Sequence, residues 1–177
     1  MQPNNNADIL ALLMPPEGCP APCFLGVRPG RTTSAEAVAV LEQHEWIAAV
    51  EPSADFLDLR WSGTQPGFLD SDARNYLHVA WYAIGEIRLA TTLSLGDLWV
   101  ALGQPEAGFA VPTASGSGFN QHLIYRQLGV EVGSFVRCSA QRQDLWHVPV
   151  EIRLHNRLLD YSDSKLDLVE LWRMPCS

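Results

Sequence analysis

Two stretches of the chain, 61 residues apart, begin with the same helix-start signal. They read TTSAEAVAVLEQ over 32–43 and LSLGDLWVALGQ over 93–104. In the first stretch Thr33 is followed three residues later by Glu36, and in the second Ser94 is followed by Asp97. A hydroxyl residue and an acidic residue at this spacing form a capping box, which satisfies two backbone amides at a helix N-terminus. The pattern predicts two helices and a unit that the chain uses twice.

Strands with alternating apolar and polar residues follow each predicted helix. They are DFLDLRW (55–61), a hairpin of NYLHVAWYA and GEIRLATTL about a turn at Ile84–Gly85, a hairpin of QHLIYRQ and GVEVGSFVR, and the final HVPVEIRLH (147–155) and LDLVELWRM (166–174). The parallel strands of a βαβ series would be almost entirely apolar and separated by helices. We therefore predict an α+β fold, a tandem repeat of a helix packed on antiparallel β-sheet.

The repeat divides the chain into three parts. Residues 1–30 are rich in Pro and Gly and contain a short candidate helix at 7–14. The first repeat then covers 31–92 and the second 93–177. With 177 residues the chain is long enough to bury a substantial core.

Composition excludes two classes of partner. The net charge is −8, and Lys165 is the one lysine in a chain without any run of basic residues. A nucleic-acid groove needs clustered positive charge, so we predict no nucleic acid among the partners. No apolar run reaches the roughly 18 residues of a membrane helix, so we predict no membrane span. The first residues lack the basic start of a signal peptide, which leaves a cytoplasmic protein or one whose signal has been removed.

The four cysteines do not have the spacing of a zinc site. Cys19 and Cys23 are separated by three residues in a proline-stiffened loop, so they are either a local disulfide of an oxidising compartment or two thiols. A bridge between Cys138 and Cys176 is the second candidate. We predict no metal site, because no two of the five histidines have helical metal-ligand spacing.

No stretch of the chain carries a complete catalytic motif. The sequence SGSGFN (115–120) lacks the first glycine of a nucleophile elbow, and it also lacks the lysine of a phosphate-binding loop. The acidic run DYSDSKLD (160–167) lacks the central glycine and closing glutamate of a calcium loop. These absences point away from an enzyme and predict no cofactor.

Aromatic residues offer the strongest sign of a binding surface. The residues that we expect on the free face of the sheet are Tyr76, His78 and Tyr82 of one strand, extended by Tyr125 and Arg126. Aromatic and arginine side chains on such a face are typical of a site where another protein docks. Trp81 and Trp99 are expected in the core between helix and sheet.

The stretch SLGDLWVALGQP (94–105) resembles the repeat of small outer-membrane-assembly lipoproteins (the SmpA/OmlA class) and the tandem repeat of the β-lactamase-inhibitory-protein fold. Together with CPAPCFLGVRPGRTTSAEA, it is also similar to bacterial envelope proteins, many of them lipoproteins. The first copy departs from the pattern, because Glu42 stands where the glycine would be. The resemblance implies binding to other proteins without catalysis. It favours a cell-envelope or secreted location over the cytoplasm.

Two functional hypotheses follow. The first is a non-catalytic binding or scaffold module that recognises a protein partner through an exposed sheet face. The alternative is an enzyme or small-molecule-binding protein with a pocket between the two halves, containing His78, His122 or His147. Association of two copies through a sheet edge is a further option, which leaves a homodimer open.

Overall fold

One antiparallel sheet organises the computed structural model, which describes residues 6–14, 17–138 and 142–155. Its strands are β1 (Ile47–Pro52), β2 (Phe56–Trp61), β3 (Tyr76–Ala80), β4 (Ala83–Ser94), β5 (Ala107–Pro112), β6 (Gly118–Tyr125), β7 (Val130–Arg137) and β8 (Pro149–His155). The helices are α1 (Asn6–Leu13), α2 (Ser34–Leu41) and α3 (Leu95–Leu102), with a 3-10 helix over Arg142–His147. No helix in the described ranges has both the length and the hydrophobicity that crossing a membrane requires.

The strand order is β1-β2-β3-β4-β8-β7-β6-β5, and every neighbouring pair is antiparallel. The four strands after α2 follow one another across the sheet, and the four after α3 return from the opposite edge. The two groups meet where β4 pairs with β8. The α+β class with an antiparallel sheet is thus confirmed. The tandem repeat stays a prediction, because a shared strand order does not establish that the two groups have the same path.

Both capping boxes are present in the structure. The Thr33 hydroxyl accepts a hydrogen bond from the backbone N–H of Glu36, whose carboxylate accepts one from the backbone N–H of Thr33. Ser94 and Asp97 make the same exchange at α3. The third helix ends at Gly103 with a φ of 79°, a left-handed value that favours glycine.

The core lies between the helices and one face of the sheet. Strand register places Leu57 opposite Leu77, Leu77 opposite Ile87, and Ile87 opposite Leu154. Because side chains alternate along a strand, these residues share one face. The helix residues that pack against this face are Ile9, Leu12, Leu13, Ala37, Leu41, Leu95 and Leu98. The charged residues that alternate with these strand residues lie on the other face, which we call the open face.

Two expectations about individual segments are wrong. The β3–β4 hairpin turns at Trp81 and Tyr82, so the predicted turn at Ile84–Gly85 is wrong. Trp81 is 96 % exposed and not in the core, because it occupies the turn, with a φ of 65°. The predicted strand at 166–174 lies outside the described residues.

Candidate functional site

A row of polar and charged side chains crosses the open face of the sheet. Register aligns one residue from each of six neighbouring strands, in the order Glu51, Asp58, Tyr76, Arg88, Arg153 and Glu131. Directly opposite residues of an antiparallel pair have Cβ atoms about 4.5–5.5 Å apart, so their side chains interact across the strands. Arg88 and Arg153 stand side by side in the row, and the carboxylates of Glu151 and Glu131 join them in one network. Glu51, at the edge of the sheet, pairs with Arg60 and lies outside this network.

Two arginines and two glutamates hold the middle of this network together. Glu151 pairs with Arg88 through one carboxylate oxygen, while its other oxygen lies 2.6 Å from Arg153 Nε. Arg153 also places Nη1 3.2 Å from Glu131 Oε1. Burial lowers the pKa of Arg88, but hydrogen bonds to Tyr76 and Glu151 outweigh burial and raise it. Each arginine is thus charged and has a carboxylate partner.

Glu131 is the most buried acid of the network, with 5 % of the residue exposed. His122 Nδ1 lies 2.8 Å from Glu131 Oε1, and His155 Nε2 lies 3.4 Å from Oε2. Burial by itself would raise the pKa of Glu131. Hydrogen bonds from both histidines and the charges of His122 and Arg153 overcome that effect, so the pKa lies well below its ordinary value. Glu131 is therefore an ionised carboxylate held by three partners.

An aromatic and arginine corner extends the open face on the β2–β3 side. The Arg74 guanidinium lies 4.8 Å from the ring centroid of Phe56 and 4.7 Å from that of Tyr76. Arg74 also donates hydrogen bonds from Nε and Nη2 to the two carboxylate oxygens of Asp58. The hydroxyl of Tyr76 accepts a hydrogen bond of 2.8 Å from Arg88 Nη1. This corner is continuous with the central network through Tyr76.

A cleft of about 840 Å³ opens beside the network. Residues from both halves of the chain line it, and the polar or aromatic ones include His78, Trp81, Glu86, His122, Glu131, Arg153 and His155. Glu86 of β4 lies directly opposite His78 of β3 and His155 of β8. The ring of Phe109 stacks on His122 at 4.6 Å between centroids. The cleft thus combines imidazoles, carboxylates and aromatic rings.

Only some of the predicted surface residues lie on or beside the open face. Tyr76 and His78 lie on the open face, and Tyr82 lies in the adjacent turn, 75 % exposed. Tyr125 does not extend this face. It points into the core, is 4 % exposed, and donates a hydrogen bond to the Gly103 carbonyl. Burial, with the charge of Glu106, raises the pKa of its phenol.

The prediction that Tyr125 lies on the open face is wrong, because the sequence does not give the register of β6 with its neighbours. Register puts Tyr125 opposite Val130, and Val130 opposite Leu154, which belongs to the core face. Arg126 follows the end of β6 and is exposed, and its backbone N–H donates to Glu106. It lies at the end of the strand and not in the polar row.

Sequence reasoning missed the charged centre of the open face. Glu131, Glu151 and Arg153 were not named, although VEIRLH places charges at alternate positions and GVEVGS places one charge between two valines. That alternation predicts one polar strand face, but it does not show that the strands are neighbours. His147 was expected as a candidate pocket residue, yet it lines a separate cavity with Trp99 and Trp146.

The cysteines and metal-binding residues complete the survey. Cys19 and Cys23 are joined by a disulfide. Cys176 lies outside the described residues, so the bridge from Cys138 to Cys176 stays a prediction. Among residues 6–14, 17–138 and 142–155, no group of three His, Cys, Asp or Glu side chains has the geometry to hold a metal ion.

The chain matches no protein-family model, no curated protein and no solved structure at a significant level. Its function therefore has to be inferred from the geometry of the open face and the cleft.

Proposed function

We propose that this protein is a binding module that recognises another protein through the open face of its sheet. The observation that carries the proposal is the tip of the β3–β4 hairpin. Trp81 is 96 % exposed and Tyr82 is 75 % exposed, side by side at the rim of the cleft. Trp and Tyr are among the residues that most often dominate the energy of protein interfaces. Two such side chains exposed together are costly in water unless a partner covers them.

The backbone of the tip supports the same reading. Trp81 has a φ of 65°, a region that a bulky residue rarely occupies. Strain of this kind is typical of functional sites, where the surrounding structure maintains it. Here the flanking strands impose the turn, because Ala80 pairs with Ala83 across it. The turn consequently places the Trp81 side chain in solvent.

The network behind the tip supplies a rigid surface for a partner. Arg88, Glu151 and Arg153 fix one another by ion pairs, so little side-chain freedom remains to be lost on binding. Tyr76 is fixed by its hydrogen bond from Arg88. A preorganised face of tyrosine and arginine resembles the centre of a protein interface more than an ordinary solvated sheet.

The proposal includes the architecture and location that the sequence suggests. We propose that the groups α2-β1-β2-β3-β4 and α3-β5-β6-β7-β8 are two copies of one unit. We also propose that the protein works in an oxidising compartment, in the cell envelope or secreted. The disulfide between Cys19 and Cys23 supports that location, because such bonds are rare in a reducing cytosol. Superposition of the two groups tests the first point, and fractionation of the producing cells tests the second.

Site-specific photo-cross-linking tests partner binding. A photoreactive amino acid is placed at Tyr82 on the hairpin tip and, as a matched control, at Val100 on α3, which is also exposed. We expect irradiation of producing cells to give a discrete heavier species from position 82 and none of that size from position 100. Trp81→Ala in the same chain should reduce the yield. The proposal fails if both positions give the same products or if Trp81→Ala changes nothing.

The cleft supports a second candidate function, a small-molecule or catalytic site between the two halves. His122 directs Nδ1 at Glu131, which leaves Nε2 as the ring nitrogen that can meet a ligand. A carboxylate that orients an imidazole in this way is a recurring element of acid–base sites. A ligand-observed NMR screen of small molecules, run on wild type and His122→Ala, tests it. Binders that depend on His122 favour this function, and a screen without such binders argues against it.

A further inference from the structure

We infer that the cleft receives a basic side chain, lysine or arginine, of the protein partner proposed above, held between Glu86 and the indole of Trp81. The inference rests on the proposed partner binding and specifies its chemistry. It follows from the charges that line the cleft, from the position of Trp81 and from the charge of the whole chain.

Most of the charges that line the cleft are compensated within the network. Arg153 contacts both Glu131 and Glu151, so its charge is neutralised within the network. Arg88 is likewise paired with Glu151. Glu86 has no ion pair or side-chain hydrogen bond with any residue in the described part of the chain. One carboxylate in the cleft is thus left over.

The neighbours of Glu86 do not remove its charge at alkaline pH. Register places His78 and His155 directly opposite it on the two adjoining strands. An imidazole is neutral in alkaline solution and then offers hydrogen bonding without a compensating charge. The charge of Glu131 is compensated by Arg153, so Glu86 leaves the cleft with an excess negative charge that repels an acidic ligand. A cation is therefore the group that the cleft accommodates best.

Trp81 lines the same cleft as Glu86. Indole is the aromatic ring that attracts cations most strongly, and guanidinium and ammonium groups both bind over its face. Trp81 is 96 % exposed, so its indole is accessible to a side chain that enters the cleft. The cleft thus offers an exposed indole and a carboxylate, the two features that bind a basic side chain.

The charge of the chain and the size of its exposed surface point to a protein as the source of the cation. The chain carries a net charge of −8, and the exposed pair Trp81 and Tyr82 offers a contact area larger than a free amine would need. Opposite charge on a partner accelerates association and selects against acidic competitors. The cleft volume of about 840 Å³ also exceeds what one amine occupies and leaves room for adjoining partner residues.

An NMR titration of the full chain tests the charge requirement. N-acetyl-arginine amide and N-acetyl-lysine amide are added in alkaline buffer of low salt, with N-acetyl-citrulline amide and N-acetyl-glutamate amide as uncharged and acidic controls. We expect saturable shifts of the Trp81 indole N–H and of the backbone amides around Glu86 with the two cations. Neither control should produce them. The inference is overturned if citrulline amide gives the same shifts as arginine amide, or if neither cation binds.

Two variants locate the binding site. Glu86→Gln should weaken binding of the arginine probe by about fivefold, the upper range for an exposed ion pair. Trp81→Ala should weaken it by about two- to fivefold. Glu51→Gln is the matched control, because Glu51 is exposed on the same face but paired with Arg60, and it should leave binding unchanged. An effect of Glu51→Gln equal to that of Glu86→Gln would contradict the site.

The two proposals fail in different ways. If cross-links form at position 82 but the cationic probes do not bind, the proposed protein partner is supported. The proposal that a basic side chain of this partner enters the cleft is then refuted. If the probes bind but no cross-link forms, the assignment of the cation to a protein is overturned. Amide spectra of each variant, compared with wild type, show whether the fold is intact.

Discussion

Replacement of Glu131 by glutamine tests whether the network on the open face stabilises the fold. Glu131 is 5 % exposed and is the common partner of His122, His155 and Arg153. Glutamine keeps the volume of the side chain and removes its charge. The variant therefore leaves the sheet packed as before and takes away the acceptor around which these three groups are arranged.

The expected loss follows from what remains around Arg153. Removing one partner of a buried ion pair costs about 3–5 kcal/mol when the other charge is left uncompensated. Arg153 keeps Glu151 at 2.6 Å, and its side chain is 25 % exposed. We therefore expect the lower end, about 3 kcal/mol, or a fall in Tm of about 6–12 °C for a chain of this size. Glu51→Gln, in an exposed pair with Arg60, should change stability by less than about 0.5 kcal/mol.

The loss should depend on pH in a defined direction. The pKa of Glu131 in the folded chain lies below its ordinary value of 4.5, despite the opposing effect of burial. A carboxylate with a lowered pKa contributes its full stability above the ordinary value, and the contribution disappears as the pH falls through the folded pKa. Wild type and Glu131→Gln should thus differ most near neutral pH and converge in strong acid.

Chemical denaturation of both proteins, with the disulfide kept oxidised, measures the difference. The free energy of unfolding is compared at neutral pH and at successively lower values. A variant as stable as wild type at neutral pH would refute the stabilising role of the network. A deficit that stays constant into acid would show that Glu131 acts through packing and not through charge.

Three further predictions address the fold. Leu98→Ala should cost about 3 kcal/mol, because Leu98 is fully buried between α3 and the sheet, whereas Val100→Ala on the exposed side of α3 should cost less than about 0.5 kcal/mol. Thr33→Ala should lower the free energy of unfolding by about 1 kcal/mol, because the first turn of α2 loses its cap, and equal stability would contradict the capping role. Joint replacement of Cys19 and Cys23 by serine should cost about 2 kcal/mol from the entropy of a short loop, and denaturation of the oxidised wild type beside the variant measures it.

The helices and the sheet class could be predicted because their signals are local. Thr33 and Glu36 form a capping box within one helical turn, so four residues of sequence suffice to place the start of α2. The same holds for Ser94 and α3. Alternation along β8 likewise predicts a strand without any knowledge of its neighbours.

The hairpin tip was placed incorrectly because a turn depends on register. Glycine at position 85 suggested the turn, but Gly85 lies inside β4 against the Ala80 side chain. The strand pairing of Ala80 with Ala83 moved the turn to Trp81 and Tyr82. A tryptophan with positive φ is rare, so no propensity rule would have chosen it. Trp81, the most exposed tryptophan among the described residues, was for that reason expected in the core.

What the sequence alone determined is the set of elements: two capped helices, alternating strands, an acidic chain without a run of basic residues, and a short cysteine loop. Each depends on residues within a few positions of one another, where backbone geometry fixes what is adjacent. The open face was decided by tertiary structure, because β4 and β8 are neighbours although more than fifty residues separate them, as Glu86 and His155 illustrate. Only that pairing joins Arg88 to Glu151 and brings Glu86 and Glu131 to one cleft. Ion pairs and clefts require side chains a few ångströms apart, and that proximity comes from strand order and register.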